Sequence, residues 1–273
     1  MNDLFDPFSL EFMQRGALEI TLLAPLAGLL GAQIVLRHLA FYAHGVGTAA
    51  FPGLVVAGPA GIPPALAALG VGVLFAGSAE RLSRGARIAY DVATALLLVA
   101  ALAIGIVLAS DVFDSGSEVD QLLFGSLLAI GDEELITTVI ALGVAAAAAV
   151  AWRRTWIASG FDQASSRSLG IRSGVADWAL LSVIAVAVIA AIDATGALLV
   201  GAILVIPPAT ARLFATTVPR LELASGALAL VEGLAGLWIA YQLDVPPGAA
   251  IAALGGAVFA AAAAARAARG LST

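Results

Sequence analysis

Few side chains in this chain could meet a cation, and those few lie in or beside apolar runs: Glu19, His44, Asp91, Asp193 and Glu232. Ionisable groups are costly inside a bilayer, so they usually face a pathway or an opposite charge. The imidazole of His44 suits zinc, whereas manganese prefers oxygen donors such as the carboxylates of Asp193 and Glu232. A site of this kind holds its ion briefly, because a complete cage would stop the ion from leaving. Each residue also has a plainer reading. His44 equally fits an imidazole near the headgroups bonded to a carbonyl, and Glu232, near Gly226, Gly233 and Gly236, fits a partner for an arginine. Asp91 stands four residues after Arg87, the spacing of a surface ion pair on one helix. Asp193 fits a solvated outer face, and His38, beside Arg37, a solvated loop.

Composition narrows the chemistry further. The chain has no cysteine, which excludes disulfides and thiolate metal sites. All 13 basic residues are arginine. A nucleotide-binding P-loop needs a lysine to reach the phosphates, so any ATP that drives this chain must sit on another polypeptide.

The elements that must position these residues are membrane helices. Of 273 residues, 61% are hydrophobic and 12% charged, and the mean hydropathy is +1.03, which fits a bilayer as solvent better than water. The predicted fold is all-α: a polytopic transmembrane bundle forming one domain over residues 1–273. Nine spans are predicted: 17–36, 44–60, 63–79, 88–110, 135–152, 175–192, 195–217, 223–243 and 248–265. If the first connection is cytoplasmic, every arginine except Arg15 falls on the inner side, and Asp111, Asp114, Glu118, Asp120, Asp132, Glu133, Glu134, Asp193 and Asp244 fall outside. The bias predicts an N-out, C-in topology in the cell membrane. Asp3, Asp6 and Glu11 precede the first run without a basic n-region, so the first helix is expected to be retained. Small-residue tracts, 145–149 and 260–265, are expected to let helices approach closely.

Three segments carry more pattern than a turn requires. From Asp111 to Glu134 an acidic stretch encloses a short apolar run, suited to a re-entrant or interfacial helix at the outer vestibule. On the inner side, about 153–174, Asp162 is placed to cap a short helix that Gly170 ends. Within the seventh span, Pro207 and Pro208 remove two backbone donors and are expected to break a pathway-lining helix.

Taken in order, these segments resemble the ABC-3 group, the zinc/manganese-type permeases of ABC importers. The likeness runs through Leu36 to Gly53 after the first span, Phe161 to Gly170, Gly196 to Arg212 and Asp244 to Gly248, and so covers nearly the whole chain. It implies a dimeric permease, two copies making one pathway, with an ATPase subunit inside holding the ATP and an extracytoplasmic metal-binding protein outside. No cofactor is expected in this chain, and no nucleic-acid partner. The resemblance makes the inner helix a coupling helix for the ATPase, with Phe161 and Leu169 as apolar anchors beside Asp162, Arg167 and Gly170. In the second span this sequence has His44 and Thr48 where the family usually has Asp and His, so the family's metal ligands carry over only in part. The implied cargo is zinc first, then manganese. An ion-coupled secondary transporter is the alternative and would need midplane carboxylates within inverted repeats, for which no convincing repeat is visible. A non-transporting scaffold would leave the double proline and the inner segment unexplained.

Overall fold

The computed structural model describes residues 6–112, 130–161 and 174–270. After a 3-10 turn at Asp6–Ser9 they form eight long helices, labelled here α1 Glu11–Leu36, α2 Ala40–Ala60, α3 Pro64–Ala86, α4 Tyr90–Ser110, α5 Asp132–Phe161, α6 Gly174–Arg212, α7 Val218–Leu243 and α8 Pro247–Ala268. Local chemistry fixes many of the boundaries. Prolines stand at the first helical positions of α3, α7 and α8, where a missing N–H costs nothing. Gly61 ends α2 in the left-handed region, at φ 65°. Asp132, Glu133 and Glu134 fill the first turn of α5, where the helix dipole favours negative charge.

All eight are apolar and long enough to cross a bilayer, which makes this a multi-pass membrane protein. In its first half, Gly174–Ile192, α6 is the centre of the bundle, with 78% of its spanning residues buried against 17% for α4 and for α8. Leu180, Leu181 and Ile184 of α6 pack in one cluster with Leu26, Leu30 and Ile34 of α1, Tyr42 of α2 and Trp156 of α5.

The backbone of α6 is helical from Gly174 to Arg212, yet its two ends lie near each other. Asp177 bonds Arg37 at the end of α1, while Pro208 lies against Gly31, six residues earlier on that same helix. In a straight helix Asp177 and Pro208 would be about 46 Å apart. Six residues of α1 and an arginine side chain cannot bridge that, so Gly174–Arg212 is not one straight helix.

Four expectations are revised. First, α5 does not end near Trp152 but continues to Phe161, so Arg153 and Arg154 lie on a helix. Second, Arg87 and Asp91 do not share a helix. Arg87 sits at φ 55° and ends α3, while Asp91 lies in the first turn of α4. Third, the double proline does not end the helix, which continues to Arg212. Fourth, the two alanine tracts differ, and single glycines add close approaches of their own: Ala145 and Ala148 are buried in the core, while a Cβ on Gly28 would lie 2.8 Å from the carbonyl oxygen of Glu222, and one on Gly31 equally close to that of Leu204. Residues 260–265 are instead largely exposed on α8.

Gly28 and Gly31 both belong to a π turn, Ala27–Gly31, that interrupts α1 two residues after Pro25. Pro208 would have donated to Leu204 in a regular helix, so the carbonyl facing Gly31 is one that proline has freed. A π turn of α1 therefore packs against the proline-bearing turn of α6.

Candidate functional site

The candidate cation residues fall in separate places. On α2, His44 is exposed and Thr48, one turn later, half-buried, on the same side as Phe41, which is 40% exposed. Gly45 and Gly47 bring that helix close to its neighbours: their missing Cβ atoms would lie 2.9 Å from the Thr94 methyl of α4 and 2.6 Å from Ile192 of α6. His44 and Thr48 thus belong to an outward face of a span whose other sides are packed.

Glu232 is buried, only 4% exposed, and one carboxylate oxygen lacks a hydrogen-bond partner. It lines a cavity of about 10 Å³ with Ile206 and Pro207 of α6 and Ile251 and Gly255 of α8. That volume is close to the minimum for one water and too small for a hydrated cation. Pro207 therefore shapes a cavity, whereas Pro208 packs on α1. Asp193 lies within α6, its side chain outside the described residues, as are Asp162, Arg167, Leu169, Gly170 and the side chain of Phe161. Most of the acidic stretch, 113–129, lies outside them too. Among the described residues no three His, Asp or Glu side chains gather into a metal-binding group.

Among the described residues Glu19 emerges as the most enclosed carboxylate. It is fully buried on α1, accepts a 2.7 Å hydrogen bond from the Thr138 hydroxyl of α5, and leaves its second oxygen unpartnered. The sequence marks it as an ionisable group inside a span and gives no clue to its partner, 119 residues away.

One end of the bundle holds a group of residues that spacing did not reveal. Asp177, whose side chain is 3% exposed, accepts from Arg37 at 2.7 Å with one carboxylate oxygen and from Arg84 at 2.8 Å with the other. Glu80 pairs with Arg84 from the preceding turn of α3. Arg37 also donates to the Trp156 carbonyl at 2.7 Å and to the Ser159 hydroxyl at 2.8 Å, and the Trp156 indole N–H donates to the Ala176 carbonyl at 2.7 Å. Such charges are tolerated in low dielectric because each is paired and hydrogen-bonded. Arg153 pairs with Glu222 of α7 at 2.6 Å, and Arg266 of α8 donates to the Leu213 carbonyl. These contacts place arginines of α1, α3, α5 and α8 at one end of the bundle. At the other, Arg15 bonds Asp132 at 2.7 Å and Glu11 at 3.2 Å.

The helical bundle agrees with the comparisons to known proteins. Residues 9–266 match the ABC 3 transport family, and the chain belongs to that family. Among its relatives are a probable iron transport system membrane protein of Haemophilus influenzae, 26% identical and aligned over 94% of both chains, and the manganese transport system membrane protein MntC of Halalkalibacterium halodurans, 28% identical over 92% of this chain and 86% of the relative. The fold matches a chain in the structure of PsaBC from Streptococcus pneumoniae in complex with Fab, with a TM-score of 0.81 at 22% identity, covering 95% of this chain and 94% of that one.

Proposed function

We propose that this chain is the permease of an ABC importer that carries a divalent transition-metal ion into the cytoplasm, and that two copies enclose the pathway. The names of its relatives point to manganese or iron. This puts manganese, which prefers oxygen donors, and iron, which an imidazole also suits, ahead of zinc. One observation carries the reading: His44 and Thr48 open outward from a helix packed on its other sides, so the donors of one chain are completed from outside it. A second copy supplies that completion by symmetry.

The arginine-rich end faces the cytoplasm by the positive-inside bias, giving N-out and C-in. The connection between α5 and α6 leaves the bundle at that end. There it serves as the coupling segment, with Phe161 and Leu169 as anchors and Asp162, Arg167 and Gly170 shaping the helix that docks on a separate ATPase. An extracytoplasmic metal-binding protein delivers the ion to the opposite end. Asp193 acts at the outer end of the route and Glu232 within the bundle, as a polar lining exposed when the helix carrying Pro207 moves.

The test is metal uptake by cells that express the complex with wild-type or His44→Ala permease, each metal offered alone and in competition. Uptake of manganese or iron that the substitution reduces supports the reading. Uptake that ignores His44, or that favours no transition metal over magnesium, contradicts it.

A further inference from the structure

The connection that leaves α5 after Phe161 and enters α6 at Gly174 is anchored at both ends by a single, partly buried network. On the α5 side Ser159 and the Trp156 carbonyl are held by Arg37, and on the α6 side Asp177 is held by Arg37 and Arg84. The Trp156 indole bonds the Ala176 carbonyl and ties the two ends directly. Arg37 closes α1 and Arg84 lies in the last turn of α3.

From Asp177 the contacts lead to both parts of the proposed pathway. One turn along α6, the Leu181 carbonyl accepts a 2.9 Å hydrogen bond from the hydroxyl of Tyr42, a fully buried residue two positions before His44. Six residues back from Arg37, Gly31 meets Pro208 and the freed Leu204 carbonyl. A displacement of the α5–α6 connection that carries Asp177 with it pulls a buried carboxylate away from Arg37 and Arg84 unless those arginines follow. The whole set therefore has to move together or repack.

We propose that Asp177, clamped between Arg37 and Arg84, is the positioning residue that transmits motion of the α5–α6 connection to the ion pathway, through Tyr42 to the helix of His44 and through α1 to the double proline. This rests on the reading of that connection as the ATPase-docking segment. Asp177 touches neither ion nor nucleotide. Its role is to make the inner ends of α1, α3, α5 and α6 respond as one body.

The test uses the full complex of permease, ATPase and metal-binding protein in vesicles, reading ATP hydrolysis and manganese uptake in the same preparation. Asp177→Asn keeps the side-chain shape and removes the charge. It is expected to raise the ATP hydrolysed per ion imported by roughly tenfold, within the range of coupling between linked sites, while the complex stays assembled. Asp177→Glu is expected to recover part of the ratio. Tyr42→Phe, which deletes only a hydroxyl, guards against a misfolded variant and is expected to raise the ratio by a smaller factor. If hydrolysis and uptake fall in proportion, or if the ratio matches wild type in both Asp177→Asn and Tyr42→Phe, the clamp is structural only and the proposal is overturned. Wild-type complex without ATP-dependent uptake would instead strike the importer reading itself, and this proposal with it.

Discussion

At the scale of single residues, polar side chains in this protein do different work according to what they touch. His44 is exposed within one chain, so its loss removes a donor without opening the core. His44→Ala is expected to lower metal uptake by at least the roughly tenfold that loss of even a supporting partner causes at metal sites, with the melting temperature in detergent unchanged. A melting temperature that falls along with uptake would return His44 to a structural role. The opposite pattern is expected at Thr138, which bonds the fully buried Glu19. Thr138→Val leaves a buried carboxylate oxygen without its donor, at a cost of about 1–3 kcal/mol, visible as a lower melting temperature. Glu19→Gln, which still accepts that bond, is expected to be milder. The sequence exposed Glu19 and His44, because an ionisable group stands out in an apolar run, and singled out neither Thr138 nor Asp177. It did not expose their partners: Asp177, Arg37 and Arg84 come from three distant segments, and only packing brings them together.

At the scale of elements, helices form where apolar runs reach bilayer length, and they are joined through irregular turns. The close approach of α1 to α6 depends on Gly31, where any Cβ would come within 2.8 Å of the Leu204 carbonyl. Gly31→Val is therefore expected to destabilise by about 1–3 kcal/mol through overpacking and to impair assembly. Gly58, also helical, has nothing within 4 Å of an added Cβ, so Gly58→Ala is expected to leave the melting temperature level or slightly raised. Equal effects in a thermal melt would contradict this account of the helix contacts. The helices themselves were legible from composition and hydropathy, within a few residues at most ends. The extension of α5 to Phe161 was not, because Arg153 and Arg154 read as the edge of the membrane although a helix can continue past it into water. Nor was the uninterrupted helix around Pro207 and Pro208. Proline removes donors, but tertiary packing decides whether the backbone then bends, unwinds or carries on.

At the scale of the whole molecule, charge and packing divide the bundle into two ends. Arg37, Arg84, Arg153 and Arg266 gather at one, Arg15 with Glu11 and Asp132 at the other. Since the chain contains no cysteine, a single introduced one reports its side of the membrane without background. A membrane-impermeant thiol reagent added to intact cells is expected to label Ile62→Cys, between α2 and α3, and to spare Arg269→Cys, after α8, until the membrane is opened. The reverse pattern would invert the topology. The most direct measurement of the central claim, that this chain is a conduit driven by a separate motor, is manganese accumulation in vesicles of defined protein content. Vesicles containing the permease with its ATPase and metal-binding protein are predicted to accumulate the ion only when ATP is supplied on the ATPase side, and vesicles containing this chain alone to accumulate none. Concentrative uptake by the chain alone, with or without ATP, would contradict the account.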